Sequence, residues 1–352
     1  MNDSYSKPLI TTIIPTYRRP KLLRRAIKSV LNQTYPYFQV CVYDNASGDE
    51  TAEIVAELAK KDSRVKYYCH QENIGMTKNF NFGLAKVNTP FFSFLSDDDI
   101  LLPNFYEVAL KGFDKYPEAM FSATQTIIVN PQGQIVGYNK FFSQNLGLYL
   151  PYKGFLTMLK NYLITWTGIL FRREVIEKVG LLDEEVVVGS DADFEYRIAA
   201  HFPFFISSET GAVHQINPEG AFSLIKIQEF WSGYLKIIKN LTENKKIPST
   251  IRLEIRGILT QELKKNIFYL TLRYILRKDY EESLSGVKIL CNHYHSPGRV
   301  FLLKSIIKMC QYFPFTHQLF FYLNKFRKFL IQKKLKPLEK KYRNISSFLE
   351  IQ

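Results

Sequence analysis

Short apolar runs alternate with amphipathic stretches through the first hundred residues. Leu9 to Ile14 is apolar and β-branched and closes on Pro15-Thr16-Tyr17. Pro20 to Leu31 has helical spacing, with Leu22, Leu23, Ala26, Ile27 and Val30 on one side and arginines on the other. Phe38 to Tyr43 reads as a second strand that ends in Asp44-Asn45-Ala46-Ser47-Gly48-Asp49. Ser47 or Asp49 stands where it would cap a helix over Thr51 to Lys61. Val65 to Cys69 is a third strand, Asn73-Ile74-Gly75 opens a helix to about Lys86, and Phe91 to Leu95 is a fourth strand. Strands that are apolar throughout, separated by helical patterns, predict an α/β fold with parallel pairing and helices on both sheet faces. The connections of such a sheet are right-handed, and its ligands bind beyond the carboxyl ends of the strands.

The loops at those ends carry the candidate chemistry. They are Pro15-Thr16-Tyr17, Asp44-Asn45, Gln71 to Gly75, and the triplet Asp97-Asp98-Asp99. Three adjacent carboxylates repel one another unless a cation shares the place. At the end of a buried strand that cation is expected to be a hard divalent ion, Mg²⁺ or Mn²⁺, completed by substrate phosphates. The competing reading is a solvated acidic turn before the next helix. Asp44 likewise has a structural alternative, an Asx turn. Lys78 and Arg18 are placed to reach phosphate or to stand as solvated charges.

Further along, Phe121 to Val136 reads as two strands across the turn Asn130-Pro131-Gln132-Gly133, and Tyr152 to Tyr162 as a short helix. Trp166 precedes the apolar run Ile169-Leu170-Phe171 and is weighed as a sugar-stacking ring against a core residue. Ser190-Asp191-Ala192-Asp193 opens a helix over about 192–200, where Ser190 or Asp191 is also an N-cap candidate. Asp193 is expected on the helix surface or at an acceptor. His214, alone on a β-like run, is weighed as a late phosphate or metal contact against a structural residue.

These motifs, taken in order, resemble the nucleotide-sugar glycosyltransferases of family 2. Thr12-Ile13-Ile14-Pro15-Thr16-Tyr17-Arg18-Arg19 resembles the family's opening strand, Ser29 to Tyr35 its S-x-L-x-Q-T helix end, and Asp44 to Thr51 its D-[DN]-x-S-x-D-x-T loop. Asn73-Ile74-Gly75, Asn81, Ser96 to Asp99 and Pro103 continue the series. Gly168 to Gly180 and Ser190 to Asp193 with Arg197 resemble the acceptor half. The resemblance covers roughly residues 8–223. It implies a GT-A fold, Rossmann-like with a mostly parallel sheet, and inverting transfer by direct displacement. It implies a nucleotide held by Pro15, Thr16, Tyr17, Asp44, Asn73, Gly75, Lys78 and Asp97, with Asp44 favouring uridine. Asp98 would be the central ligand of Mn²⁺ or Mg²⁺, assisted by Asp99 or Asp97. Asp191 would be the base, and Trp166, Asp193 and His214 would line the acceptor side. Ser96 departs from the pattern, because many members have Asp there; Ser190 replaces a Glu.

Composition separates the chain in two. Residues 225–352 hold 25 Lys and Arg against 9 Asp and Glu, a net charge of +16, whereas the remaining residues are near neutral at −2. The expected organisation is a catalytic domain over 1–224, with a nucleotide half at about 8–103 and an acceptor half at about 104–224, followed by a basic helical region over 225–352. Ile251, Ile255, Leu259, Leu263, Ile267 and Leu270 recur at helical spacing there, as do Leu319, Leu323, Phe326 and Leu330 among lysines. Basic, aromatic amphipathic helices suit an anionic membrane surface, or else pack as a bundle with a basic outer face. A nucleic-acid partner is disfavoured, because no such motif accompanies the charge. The four cysteines are scattered and form no disulfide or zinc pattern. No signal-peptide pattern opens the chain, and no run of 18 apolar residues exists. The expected setting is the inner face of the cytoplasmic membrane, with a nucleotide-sugar donor and a glycan or lipid-linked glycan acceptor of a bacterial surface polysaccharide. Two other classes remain open at this point. One is a sugar-phosphate nucleotidyltransferase, against which the glycine-free Pro15 to Arg19 loop argues. The other is an inactive nucleotide-binding subunit, against which Asp98 and Asp191 argue.

Overall fold

The computed structural model describes residues 9–138, 146–161, 165–217 and 225–342. The first half follows the apolar rhythm closely. Strand β1 (Ile10–Thr16) leads to helix α1 (Pro20–Leu31), β2 (Phe38–Asp44) to α2 (Thr51–Lys61), β3 (Val65–Cys69) to α3 (Met76–Ala85), and β4 (Phe91–Phe94) to the acidic turn. Pro20 opens α1, where a missing N–H is harmless. The order β3-β2-β1-β4 is parallel throughout, with Thr12 level with Val40 on one side and Ser93 on the other. Ile10, Ile14, Val40 and Val42 pack against Leu23, Ile27, Val55 and Leu58 of α1 and α2 on one face. On the other face α3 lies very close: a Cβ on Gly83 would stand 2.8 Å from Ile13 Cγ2 and 3.0 Å from the Tyr43 ring.

The second half is mixed. Beyond β4 the sheet continues through β9 (Ile169–Arg172), β6 (Phe121–Val129) and β10 (Phe204–Gln215) to β5 (Ile100–Leu101). β9 is antiparallel to both β4 and β6, whereas β6 and β10 are parallel. Two short strands, β7 (Ile135–Tyr138) and β8 (Gly147–Tyr149), pair antiparallel with β6 and β10. The expectation of a mostly parallel sheet therefore holds for the first four strands and gives way to a mixed sheet after them. The reason lies in the connections. The β6–β7 turn Asn130 to Gln134 is a tight hairpin, closed by Asn130 Oδ1 accepting from Gln132 N and Gln134 N, and a hairpin joins only antiparallel strands. Helices α4 (Phe105–Lys115), α5 (Lys153–Asn161), α6 (Glu174–Val179) and α7 (Ser190–Ala199) complete this part. Tyr162, the expected end of the helix at 152–162, lies outside the described residues.

The chain forms two compact units. The sheet unit comprises the described residues through Glu184, then 190–217 and 338–342. The other contains 185–189 and the described residues 225–337. The second unit is helical: α8 (Ile227–Thr242), α9 (Ser249–Leu276), α10 (Tyr280–Asn292), α11 (Pro297–Tyr312) and α12 (Pro314–Lys341), of which α12 extends into the last segment of the sheet unit. Its core includes Ile255, Leu259, Leu263 and Ile267 of α9, the stripe expected from their spacing. Gly286 of α10 sits where a Cβ would strike Thr271 Oγ1 at 2.0 Å.

Candidate active site

The carboxyl ends of the parallel strands supply the first wall. Asp44, the last residue of β2, is buried and its carboxylate is shared out. Oδ1 accepts from Ser47 N (3.0 Å) and Ser47 Oγ (2.6 Å), which is the Asx turn, and Oδ2 accepts from Tyr67 OH at 2.6 Å. Ala46 within that turn and Arg18 after β1 both have positive φ, the left-handed region that non-glycine residues seldom occupy. Arg18 donates from its backbone N to Ser47 Oγ at 2.8 Å, so the loops after β1 and β2 are tied together. Asn45 holds the third loop: its Nδ2 donates to Asn73 Oδ1 (2.8 Å) and its Oδ1 accepts from Ile74 N (2.9 Å). Gly75 begins α3 at φ 89°, a conformation open to glycine. Lys78 is exposed in the first turn of α3.

The acidic turn is a hydrogen-bonded hub. It leaves β4, next to β1, and its chain re-enters the sheet as β5 on the far side of β10. Thr16 Oγ1 donates to Asp97 Oδ2 at 2.8 Å. Arg19 Nη1 reaches both Asp97 Oδ1 (3.0 Å) and Asp98 Oδ2 (3.2 Å), and Asn217 Nδ2 donates to Asp98 Oδ2 at 3.1 Å. Arg25 Nη2 donates to the backbone oxygen of Asp98 at 2.7 Å. Asp99 is enclosed: its carboxylate accepts from Gln215 N at 2.9 Å, faces His214 Nδ1 at 3.1 and 3.2 Å, and accepts from Thr167 Oγ1. Burial pushes the Asp97 carboxyl up to about 6, against the pull of Arg19. Burial and then the Asp99 charge raise that of Asp98. Burial alone would lower His214, but the Asp99 carboxylate overrides it and holds the imidazole up at about 9.

Helix α7 supplies the opposite wall. Asp191 stands in its first turn and accepts from Ala192 N at 2.8 Å, a self-made cap. Its side chain is reached by solvent, yet enough protein surrounds it that desolvation raises its carboxyl above the usual range. His214 is near enough for its charge to oppose the shift. One helical turn on, Glu195 is buried, and its Oε2 has no hydrogen-bond partner among the described residues. Desolvation, and then the Asp191 charge, lift its carboxyl well above 4.5. The loop preceding α7 is pinned to α3 by Asn81, whose Nδ2 donates to Leu182 O and whose Oδ1 accepts from Leu182 N.

The sequence-predicted residues divide accordingly. Thr16, Asp97 and Asp98 are joined through Arg19, Asp99 and His214 form a second bonded set on the same turn, and Asp191 lies within electrostatic range of His214. Pro15 and Tyr17 flank Thr16, and Asp44, Asn73 and Gly75 lie in the neighbouring loops. Two acceptor-side expectations are corrected. Asp193 has no solvent exposure and is paired with Arg197 Nε at 2.7 Å, while Arg197 also donates to the backbone oxygens of Val179 and Leu181. It therefore clamps α7 to the preceding loop. Trp166 is buried in the core, 3.8 Å from the Phe94 ring centroid and 5.2 Å from that of Phe80, which leaves no face for a sugar. Asp99 also differs from the expected assisting ligand, because its oxygens are already held by three donors. Sequence reasoning missed Arg19, Asn217, Thr167 and Glu195. Pro20 at the first position of α1 was the one signal for Arg19, since it fixes that arginine as the N-cap.

Among the described residues no three His, Cys, Asp or Glu side chains form a complete metal cage. The donor set nonetheless fits Mg²⁺ or Mn²⁺. Asp97 and Asp98 present hard oxygens already bridged by a cation, the Arg19 guanidinium, and such ions take one or two carboxylates plus substrate phosphates.

Residues 11–180 match the family described as Glycosyl transferase family 2. These residues form a family 2 glycosyltransferase domain. An uncharacterized glycosyltransferase of Methanocaldococcus jannaschii is 27% identical over 250 residues, covering 70% of this chain and 83% of that one. The GalNAc(5)-diNAcBac-PP-undecaprenol beta-1,3-glucosyltransferase of Campylobacter jejuni is 41% identical over 96 residues, 27% of this chain and 31% of the relative. The structure of S. aureus TarS 1–349 in complex with UDP-GlcNAc aligns with a TM-score of 0.60 at 15% identity, covering 86% of this chain and 91% of that one. At that identity the likeness speaks for the fold, which is the GT-A arrangement of the family 2 glycosyltransferases.

Proposed function

We propose that this family 2 glycosyltransferase is a metal-dependent, inverting enzyme. It moves a sugar from a UDP-sugar to a hydroxyl of a glycan or lipid-linked glycan in bacterial surface-polysaccharide assembly. The observation that carries the reading is the bonded chain from Thr16 through Asp97, Arg19 and Asp98 to Asn217. It joins the nucleotide-side loop after β1 to the end of β10 around two buried carboxylates. The names of similar proteins support the finer points: TarS 1–349 has been solved with UDP-GlcNAc, and the Campylobacter relative is named for a polyprenyl-diphosphate-linked glycan.

The chemistry assigned to each group follows from its setting. Thr16 and Tyr17 hold the nucleoside, and Asp44, its carboxylate engaged by Ser47 and Tyr67, shapes the loop beside them rather than meeting uracil directly. Asp98, with Asp97, would hold Mn²⁺ or Mg²⁺. A bound divalent ion neutralises the charge that develops on the leaving diphosphate. Lys78 faces phosphate from the first turn of α3. Asp191 takes the proton of the acceptor hydroxyl, its basicity raised by partial desolvation. Inversion by direct displacement needs no covalent nucleophile. A lipid-linked acceptor and the basic helices both favour a position at an anionic membrane surface.

The test is thermal stabilisation by UDP, GDP, CMP and dTDP, each with and without Mn²⁺, on wild type and Asp98→Ala. A ligand at about 100 times its dissociation constant adds roughly 2.7 kcal/mol. The expected result is a shift with UDP and Mn²⁺ that Asp98→Ala abolishes. A larger shift with another nucleotide would replace the donor, and no shift with any nucleotide would favour an inactive subunit.

A further inference from the structure

In the described residues, large apolar side chains are exposed most densely at the basic end of the helical unit. Helix α11 buries one stripe, Val300, Leu303, Ile307 and Cys310. Its other side would ordinarily be polar. Instead Phe301 is 75% and Tyr312 76% exposed, with Lys304 and Lys308 between them. Positions 301, 308 and 312 fall on one line of a helix with 3.6 residues per turn. After Phe313, α12 repeats the arrangement. Phe315 is 65% and Tyr322 63% exposed, Leu319 lies between them, and Lys333 falls on the same line further along. Exposed apolar groups on this scale mark an interaction surface.

We infer that the outer faces of α11 and α12 lie on an anionic lipid surface, with aromatic and aliphatic side chains in the headgroup boundary and lysines on the lipid phosphates. The inference deepens the membrane-surface part of the proposed function and rests on that reading only for where the acceptor is found. Charge selects the occupant. Residues 301–343 hold 11 Lys and Arg and one acidic residue, Glu339, so a second copy of this surface would repel the first. The exposed leucines Leu302, Leu319 and Leu323 offer nothing to a base or a nucleic-acid phosphate, but they match acyl chains. No helix among the described residues is long and apolar enough to cross a membrane, so the contact is in the plane of the surface.

The experiment is flotation of the full chain with phosphatidylcholine vesicles and with vesicles also containing phosphatidylglycerol, at low and high salt. UDP stabilisation is recorded on the same samples. The expected result is binding to the anionic vesicles alone, weakened by salt. Phe301→Ser/Tyr312→Ser/Tyr322→Ser and Lys304→Glu/Lys308→Glu should each weaken it by about tenfold or more. Circular dichroism confirms that these surface variants fold. Absent binding to anionic vesicles, or variants that bind like wild type, overturns the inference. So does an apolar variant whose only effect is to abolish self-association, or a surface that binds single-stranded oligonucleotide in preference to lipid. UDP stabilisation retained alongside failed flotation removes the membrane face and leaves the donor site standing.

Discussion

Asp191 and Glu195 share one face of α7, one turn apart, in opposite circumstances. Asp191 is reached by solvent whereas Glu195 is buried without a cation, and desolvation raises both carboxyls, that of Glu195 well above the usual range. The surroundings of α7 therefore favour the protonated form more strongly at Glu195 than at Asp191. Asp191→Asn should leave UDP stabilisation intact and lower transfer by about 10²–10⁴-fold; transfer near the wild-type rate would remove Asp191 from the mechanism. Glu195→Gln should stabilise the protein. The folded carboxyl binds its proton more tightly than the unfolded one, so its contribution is fully present below about 4.5 and lost as pH rises. A neutral isostere escapes that loss. Denaturant unfolding should therefore show a gain near pH 8 that fades towards pH 4. A gain independent of pH would mean that Glu195 is ionised in the folded state.

At the scale of elements, α7 is fixed by Asp193 and Arg197, and α3 by the absence of a side chain at Gly83. Arg197→Ala removes the cation that faces the buried Asp193 carboxylate, which should lower stability by about 3–5 kcal/mol in urea unfolding. The fraction that remains folded should keep its turnover rate. If Asp193 touched the acceptor instead, Asp193→Asn would reduce activity at unchanged stability. Gly83→Ala should cost about 1–3 kcal/mol, because the added methyl meets Ile13 and Tyr43 at 2.8–3.0 Å. These two positions also show what the sequence displays and what it conceals. The buried strands β1, β2 and β4 read as continuous apolar runs, and with them β3 at the edge and their helices were legible almost to the residue. The mixed half was less so, because β10 carries register shifts around Thr210 and β5 is only two residues long. Asp193 and Arg197 sit four apart, as surface pairs on helices do, and nothing in that spacing reveals burial. Trp166 is equally silent: its core partners Phe80 and Phe94 are distant in sequence.

Over the whole molecule, charge and chemistry are segregated. The hub of carboxylates lies in a unit whose share of the chain is nearly neutral, and the excess of lysine and arginine lies in the helices after it. That division was readable as composition, since net charge needs no three-dimensional information. The bridging of Asp97 and Asp98 by Arg19 was not, because it depends on two loops that only the parallel register brings together. A division of labour follows. Donor binding should order the strand-end loops and leave the helical core as it is, because the groups proposed here to recognise nucleotide and diphosphate all lie at one sheet edge. Hydrogen exchange with and without UDP and Mn²⁺ reads this directly. Peptides spanning residues 15–19, 44–47 and 97–99 should exchange more slowly with the ligands, whereas peptides from α9 and α10 should not change. Protection extending through α9 would mean that the basic helices respond to the donor. Their attachment to a surface would then be linked to the catalytic cycle, and the same coupling would make anionic lipid tighten UDP binding by an equal factor.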